Sequence, residues 1–294
     1  MKNLQTCENS LPVRPRKKWD STEQYIEFLR HFIAYKYAKK FVKGKSVLEI
    51  GCGTGYGANY LSRFASDAIA MDISKLCITY CHKTYKNGRK LNFLRASGLS
   101  IPLKDDSIDV ALSFQVIEHI KPKEVKDYLF GVKRVLTNNG IFVVSTPNKK
   151  LRLLPFQKPR NPEHRKEYNY KEFKRTLMNV FENVRVYGLK GSEEIQSIER
   201  SRMKQDPFEF YVIRPLLFFK KKMLPHTIVP HFFKKMRRPV HDQRKKHRSI
   251  PTKITKKIQI NDFKVSPYCF GDCLDFYGVC QKRTVENVQK YQSI

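Results

Sequence analysis

The sequence predicts an α/β protein with a Rossmann-like, doubly wound and mostly parallel sheet. Three observations carry this expectation: short apolar segments alternate with amphipathic ones, a glycine cluster follows the first apolar segment, and 40% of the 294 residues are hydrophobic. Strands that are apolar on both faces and alternate with helices indicate parallel βαβ units covered on both sides. We therefore expect a seven-stranded sheet with a basic helical insertion between its last two strands.

The elements follow from the spacing of apolar residues. The first helix is predicted over 21–42, where apolar groups recur every three or four residues, with Ser21 or Thr22 as its N-cap and Gly44 at its end. After it, compact apolar runs predict strands and periodic runs predict helices. The strands are expected at 46–50, 68–71, 91–95, 109–114, 140–145, 180–187 and 274–280, and the further helices at 57–64, 75–85, 123–136 and 170–178.

Positive charge is concentrated in one segment. The chain has 58 Lys and Arg against 27 Asp and Glu, a net charge of +31. Between Arg214 and Lys257 there are fifteen basic residues and one acid, Asp242. Apolar clumps followed by lysines are typical of segments that bind anionic membranes, and a helical cap over the site is the alternative. The predicted boundaries are 1–20 for a disordered basic tail, 21–190 plus 271–284 for the Rossmann-like domain, and 191–270 for the insertion.

The sequence contains no recognisable targeting or membrane-spanning segment. Its first residues are basic but lack the apolar run of about 7 to 15 residues of a signal peptide, and no run reaches about 18 apolar residues. We therefore expect a cytoplasmic protein, with peripheral binding at the inner face of the membrane as one role for the insertion. In that compartment the seven cysteines should stay reduced.

The glycine cluster lies in the string VLEIGCGTGYGA. Its spacing, Gly51-x-Gly53-x-Gly55, differs from the G-x-G-x-x-G pattern that cradles a pyrophosphate. Glu49 would repel a pyrophosphate, but it suits a cofactor that carries a sulfonium and an ammonium. Asp72 ends the next strand about twenty residues on, where a carboxylate accepts hydrogen bonds from ribose hydroxyls. These features predict S-adenosylmethionine as the cofactor.

Four motifs in this order, VLEIGCGTGYGA, AMDIS, SGLSIPLKDDSIDVALSFQVIEHI and LTNNGIFVVSTPN, resemble class I methyltransferases of the type-11 and ubiquinone O-methyltransferase-like groups. The resemblance implies that glycines approach the methionine part, that an aspartate holds the ribose and that the next residue packs on the adenine. With Glu49 from the charge argument, the predicted cofactor site comprises Glu49, Gly51, Gly53, Asp72, Ile73, Ser97, Gly98, Phe114 and Gln115.

Two positions depart from the family pattern. Ser97 stands where the family usually has an acid that binds the adenine amine. Similar ubiquinone O-methyltransferases carry a metal-associated Glu-x-x-Glu-His motif, whereas this chain has Gln115-Val-Ile-Glu118-His119. Because hard cations favour several charged oxygens, we expect no metal ion.

Methyl transfer from a sulfonium is an in-line displacement, and a hydroxyl acceptor must also lose its proton. His119 is the first candidate for the base. His164 is the second, since similar methyltransferases place such a loop over the acceptor; a structural role is open for each. We predict O-methylation of a small or lipid-linked acceptor, a glycan or a quinone-like ring.

The alternatives are a nucleic-acid methyltransferase and a non-enzymatic binding protein with this fold. The segment SFQV after the fourth strand lacks the Asn/Asp-Pro-Pro-aromatic run of enzymes that methylate exocyclic amines, and STPN lacks a nucleophilic cysteine. This chemistry argues against nucleic acid as the acceptor. The sequence leaves the oligomeric state open.

Overall fold

The computed structural model describes residues 14–16, 19–85, 90–203, 258–268 and 271–282. One eight-stranded sheet forms its centre. The strands are β1 (Ser46–Ile50), β2 (Asp67–Asp72), β3 (Leu91–Arg95), β4 (Ile108–Phe114), β5 (Leu136–Pro147), β6 (Asn183–Gly191), β7 (Phe263–Ser266) and β8 (Asp275–Gln281). Their order across the sheet is β3-β2-β1-β4-β5-β8-β6-β7. The first five strands run parallel, and β8 pairs antiparallel with β5 and β6.

Seven helices in the described residues connect and cover these strands. They are α1 (Thr22–Val42), α2 (Tyr56–Leu61), α3 (Lys75–Thr84), α4 (Val125–Val135), α5 (Lys149–Arg152), α6 (Tyr170–Met178) and α7 (Glu193–Met203), with 3₁₀ turns at Ile117–His119 and Ile260–Asp262. Ser21 caps α1 by accepting a hydrogen bond from the Gln24 amide, as predicted. A reciprocal capping box between Asn169 and Glu172 begins α6.

The sheet is covered on both faces, so the fold is doubly wound. Val143 and Val144 are consecutive residues of β5, and they belong to different apolar clusters because successive strand side chains point to opposite faces. Residues of α4 and α6 pack in the cluster on one face. Residues of α1, α2 and α7 pack in the other. The predicted Rossmann-like α/β class is confirmed.

The predicted number of strands was wrong. The structure adds β7, a four-residue edge strand that pairs antiparallel with β6. It lies in the segment 191–270, which we expected to be helical, and its run FKVS is too short to show clear alternation. Strand β6 begins at Asn183 rather than at Val180, because the amides of Val180 and Phe181 still bond to the Leu177 carbonyl at the end of α6.

Helix α7 lies in the predicted insertion, whereas the basic run Arg214 to Lys257 lies outside the described residues, as does most of the predicted tail. No helix within the described ranges is long and apolar enough to cross a membrane. The five cysteines that the structure describes are free thiols, in agreement with the sequence-based expectation.

Candidate active site

A cavity of about 790 Å³ opens at the carboxyl ends of β1, β2, β4 and β5. This edge includes the point between β1 and β4 where the strand order reverses, the usual ligand site of open α/β sheets. We call the residues that follow β1 to β3 the cofactor half, and those of α1 and of the segments after β4 and β5 the acceptor half. The cofactor half is lined by Gly51, Gly53, Asp72, Ile73, Ser97, Gly98 and Leu99, and the acceptor half by Arg30, Gln115, Glu118, His119, Arg152 and His164.

The glycine loop after β1 requires glycine at two of the predicted positions. Gly51 and Gly53 have φ angles of 75° and 54°, in the left-handed region that favours glycine. A Cβ atom on Gly51 would also overlap the side chain of Val116. The amides of Gly51 and Cys52 donate to the Met71 carbonyl at 2.8 and 3.0 Å. These bonds draw the loop toward β2 and leave its backbone at the cavity wall.

Asp72 lies at the end of β2, as predicted, and its carboxylate is held by the backbone. Oδ2 accepts a 2.9 Å hydrogen bond from the Gly53 amide, and Oδ1 accepts a 2.8 Å bond from the Ser74 amide. A carboxylate has about four acceptor sites, so these two bonds leave capacity for the hydroxyls of a ribose. The arrangement ties the acid directly to the glycine loop.

Glu49 does not line the cavity, although it was predicted to bind the cofactor. It lies behind the glycine loop, where its Oε1 accepts a 2.6 Å hydrogen bond from the Tyr35 hydroxyl. Its Oε2 is buried without a partner in the described residues. Burial raises the pKa of Glu49 to about 8, an effect that the Tyr35 bond opposes and the charge of Asp72 reinforces. A buried acid with a free oxygen beside the loop fits a cationic cofactor.

One side of the cavity is apolar and open. Ile73 and Leu99 line it with 68% and 44% of their surfaces exposed, which suits a planar ring between or against them. Ser97, also in the wall, accepts a hydrogen bond from the Leu99 amide through its hydroxyl. Leu99 was missed in the sequence, since a lone leucine in a loop carries no pattern.

Gln115 follows β4 in a strained conformation at the boundary of the two halves. Its φ of 57° is left-handed, which is uncommon outside glycine and recurs at functional sites. Its side-chain amide donates to the Ser145 hydroxyl at 3.2 Å. Phe114, at the end of β4, also lines the cavity, as predicted.

The structure brings the two candidate bases together. The rings of His119 and His164 lie 4.7 Å apart and nearly perpendicular, although 45 positions separate them in the sequence. Burial lowers the pKa of His119, and the nearby charge of His164 lowers it further. His119 is therefore neutral at neutral pH. Nδ1 of His164 lies 2.9 Å from Oε1 of Glu167, a buried acid that the sequence did not single out.

Glu118 lies beneath the two histidines. Its Oε2 accepts a 3.1 Å hydrogen bond from the Thr146 hydroxyl, and its Oε1 is buried without a partner in the described part of the chain. Burial raises the pKa of Glu118 to about 8, so the carboxyl group is largely protonated at pH 7. Polar atoms of Glu118, His119 and His164 lie within 4.8 Å of one another. Because the carboxyl group is mostly neutral, we interpret the three residues as a cluster of polar side chains, and the absence of a metal stays a prediction.

Arg30 is a further cavity residue that sequence reasoning missed. It projects from α1 and is fully paired while buried: its guanidinium donates to both carboxylate oxygens of Asp275 at 2.6 and 3.0 Å and to Glu199 at 2.7 Å. These contacts tie α1 to α7 and β8. The signal in the sequence was an arginine inside the apolar stripe of α1, beside Leu29.

Comparison with known proteins agrees with this geometry. Residues 48–144 match the family described as a methyltransferase domain. A probable S-adenosylmethionine-dependent methyltransferase of Mycobacterium tuberculosis is 32% identical over 163 residues, 55% of this chain and 58% of the relative. A fatty-acid O-methyltransferase of Mycolicibacterium smegmatis is 32% identical over 131 residues, 44% and 46% of the two chains. A phthiotriol/phenolphthiotriol dimycocerosates methyltransferase of M. tuberculosis is 36% identical over 101 residues, 34% and 36%. The match thus spans 58% of the length of the first relative and less than half of the other two.

Solved structures share the fold at low sequence identity. An S-adenosylmethionine-dependent methyltransferase from Archaeoglobus fulgidus has a TM-score of 0.50 and 17% identity, over 89% of this chain and 94% of that one. The N-methyltransferase NodS from Bradyrhizobium japonicum, in complex with S-adenosylhomocysteine, has a TM-score of 0.51 and 13% identity, over 65% and 91%.

The matched segment, residues 48–144, is a methyltransferase domain, and its fold is shared with solved methyltransferases. The predicted family, the S-adenosylmethionine-dependent methyltransferases, and the predicted cofactor are confirmed by these relatives. The residue assignments within the site stay predictions.

Proposed function

We propose that this protein transfers a methyl group from S-adenosylmethionine to an oxygen of a small or lipid-linked acceptor, a glycan or a quinone-like ring. The observation that carries the proposal is that a single cavity contains both the cofactor half and two adjoining histidines. When bound, the cofactor supplies an electrophilic methyl carbon on a sulfonium. The protein's tasks are then to align the acceptor oxygen, exclude water and remove a proton.

In the cofactor half, each residue would bind a different part of the cofactor. Asp72 would accept the ribose hydroxyls, and Ile73 and Leu99 would cover the adenine. Glu49, behind the glycine loop, would stabilise the positive charge in its ionised form. In the acceptor half, a histidine would take the hydroxyl proton as general base. His119 is neutral at neutral pH because burial lowers its pKa, and the ring of His164 lies next to it in the same cavity.

The names of the relatives support a lipid-linked acceptor. They include a fatty-acid O-methyltransferase and a phthiotriol/phenolphthiotriol dimycocerosates methyltransferase, and a fatty acid is a lipid. An acceptor of this kind would be delivered from a membrane surface. The segment Arg214 to Lys257, with fifteen basic residues and one acid, offers about 1 kcal/mol of attraction per basic residue near an anionic membrane. We therefore propose a cytoplasmic protein that binds the inner membrane face peripherally.

The acceptor class is tested by methyl transfer with radiolabelled cofactor against total lipid, glycan and RNA extracts. The proposal predicts label in the lipid or glycan fraction, and less label with Asp72→Ala at the same low cofactor concentration. Label in RNA would support the nucleic-acid alternative instead. Binding of the cofactor without transfer to any fraction would support a non-enzymatic binding protein.

The membrane role is tested by co-sedimentation with vesicles that contain phosphatidylserine. We expect binding that weakens steeply with salt and is lost when Lys220, Lys221, Lys222, Lys234 and Lys235 become Glu. The matched control replaces lysines outside the basic segment, Lys36 and Lys39, and should retain binding. Equal recovery in the supernatant with and without the anionic lipid would rule out the membrane role and favour the helical cap.

A further inference from the structure

Glu167 is a buried acid beside the reaction cavity that the mechanism above does not use. Its side chain is fully buried, and that of His164 is 6% exposed. Oε1 of Glu167 lies 2.9 Å from Nδ1 of His164. A carboxylate oxygen accepts but does not donate, so Nδ1 carries the proton in this contact when Glu167 is ionised. We call His164 and Glu167 the loop dyad.

The loop that holds this dyad is anchored on both sides. Before Glu167, the amides of Arg165 and Lys166 donate to the Glu118 carbonyl at 2.7 and 3.1 Å. After it, the Lys149 amide donates to the Tyr168 carbonyl at 2.9 Å. The loop is thus fixed to the segments that follow β4 and β5. A side chain on such a support holds its orientation without an ordering cost at the moment of reaction.

A third side chain places a positive charge beside the buried acid. Nε of Arg152 lies 3.3 Å from the same Oε1 of Glu167, and 17% of the Arg152 side chain is exposed. A buried carboxylate needs such a partner, because an isolated charge is costly to remove from water. Arg152 also lines the cavity. The permanent charge of its guanidinium therefore favours a negative charge on the neighbouring Glu167 carboxylate.

His119 has no comparable partner. A backbone hydrogen bond to Glu163 and the charge of that residue raise the pKa of His119, against the larger effect of burial. In the described residues, the His119 ring makes no hydrogen bond to a buried carboxylate. The two histidines, equivalent candidates in the sequence, thus differ in the structure: one ring is oriented by an anion and the other is not.

We propose that Glu167 is a positioning residue that fixes the Nδ1–H form of His164, so that Nε2 of His164 takes the proton of a hydroxyl acceptor. This inference rests on the proposed function. The acceptor oxygen bonds to the methyl carbon while the carbon–sulfur bond breaks and its electron pair stays on sulfur. The hydroxyl proton moves to Nε2. The positive charge lost from the sulfonium reappears on the imidazolium beside Glu167, where the carboxylate stabilises it.

The dyad also specifies the class of acceptor. A carboxylic acid is already ionised at neutral pH and needs no base, whereas an alcohol or phenol must lose a proton as its oxygen attacks. A histidine backed by an anion has a function only for the second kind. The acceptor is therefore a hydroxyl compound, and a free carboxylate is a poor substrate.

The orientation of His164 is tested without cofactor or acceptor, by nitrogen NMR of full-length protein labelled at histidine, at a pH where the rings are neutral. His164→Ala assigns the resonances. We expect the Nδ1–H form in the wild type and a shift toward Nε2–H in Glu167→Gln, because the amide can donate to Nδ1. Glu182→Gln, at an exposed position, is the matched control and should change nothing. An Nε2–H form in the wild type, or no response to Glu167→Gln, overturns the positioning role whatever the protein methylates.

The consequence for catalysis is tested with two probes of similar apolar chain, 4-nonylphenol and dodecanoate. We expect transfer to the phenol, with kcat lowered at least tenfold in Glu167→Gln, KM and cofactor affinity within a few-fold, and partial recovery in Glu167→Asp. Preferential methylation of dodecanoate, or unchanged kcat on the phenol, overturns the proposal. If neither probe is methylated while cofactor binds, the hydroxyl-acceptor claim fails for this chain-length class and the NMR result alone decides the orientation of His164.

Discussion

The two halves of the cavity are built by different means. The cofactor half consists largely of backbone: glycines in left-handed conformations, amides that bind Asp72, and the ends of adjacent parallel strands. The acceptor half consists of charged and polar side chains from segments far apart, and its Arg30 donates to Asp275 of β8, 245 positions away. A backbone-built site tolerates little local change, whereas a side-chain network depends on distant elements that all stay in place.

The largest expected effect lies in that network. Arg30→Ala leaves Asp275 buried without its cationic partner and removes one of the two arginines that pair with Glu199, and removing one partner of a buried pair costs about 3 to 5 kcal/mol. The free energy of unfolding from urea titration should fall by this amount. Arg16→Ala removes an exposed pair with Asp20 and should change stability by less than about 1 kcal/mol. If the two variants lowered the free energy of unfolding equally, the claim that buried side-chain pairs hold the acceptor half together would be wrong.

Next in size is the loss of the general base. His164→Ala should lower turnover by about 10² or more while S-adenosylhomocysteine affinity stays within a few-fold, as expected for removal of a base. His119→Ala should have a smaller effect, because its ring lacks the carboxylate partner. Steady-state kinetics on the acceptor identified by the extract assay measures both. A larger loss in His119→Ala would reverse the assignment of the two histidines.

In the cofactor half, Asp72→Ala should weaken S-adenosylhomocysteine binding by roughly 1 to 3 kcal/mol, because the ribose hydroxyls lose a charged acceptor. Calorimetry gives this value directly. Asp67→Ala, at the opposite end of β2, is the matched control and should bind normally. An unaltered affinity in Asp72→Ala would mean that its two backbone bonds are its whole function.

The contrast between the halves also explains what the sequence could predict. Glycine spacing, strand ends and an acid about twenty residues on form local patterns, so Gly51, Gly53 and Asp72 were placed correctly at the cavity. Glu49 was predicted to bind the cofactor, whereas the structure places it outside the cavity wall, bonded to the Tyr35 hydroxyl. Glu167 and Arg152 have a role only through contacts with residues of other loops. Their spacing in the sequence therefore does not predict that role. Strand β7 was missed because four residues show no period.

A smaller effect concerns pH. The raised pKa of Glu49, about 8, means that the folded protein holds a proton there, so its contribution to stability is present at low pH and declines as pH rises toward 8. A cationic cofactor favours the ionised form and should release this proton. Affinity for S-adenosylmethionine should therefore rise about threefold to fivefold from pH 7 to 8.

Two variants isolate the source of that pH dependence in calorimetric titrations. Glu49→Gln should abolish it. Glu118→Gln removes another acid whose pKa is raised to about 8 but which lies in the acceptor half, and it should retain the dependence. The opposite pattern would assign the proton to Glu118.

The most direct test of the account is a calorimetric titration of S-adenosylhomocysteine into the full-length protein. The account predicts one site per chain with a micromolar Kd, about −8 kcal/mol. The absence of binding heat at several temperatures, with no stabilisation against thermal unfolding, would contradict the claim that this cavity holds the cofactor.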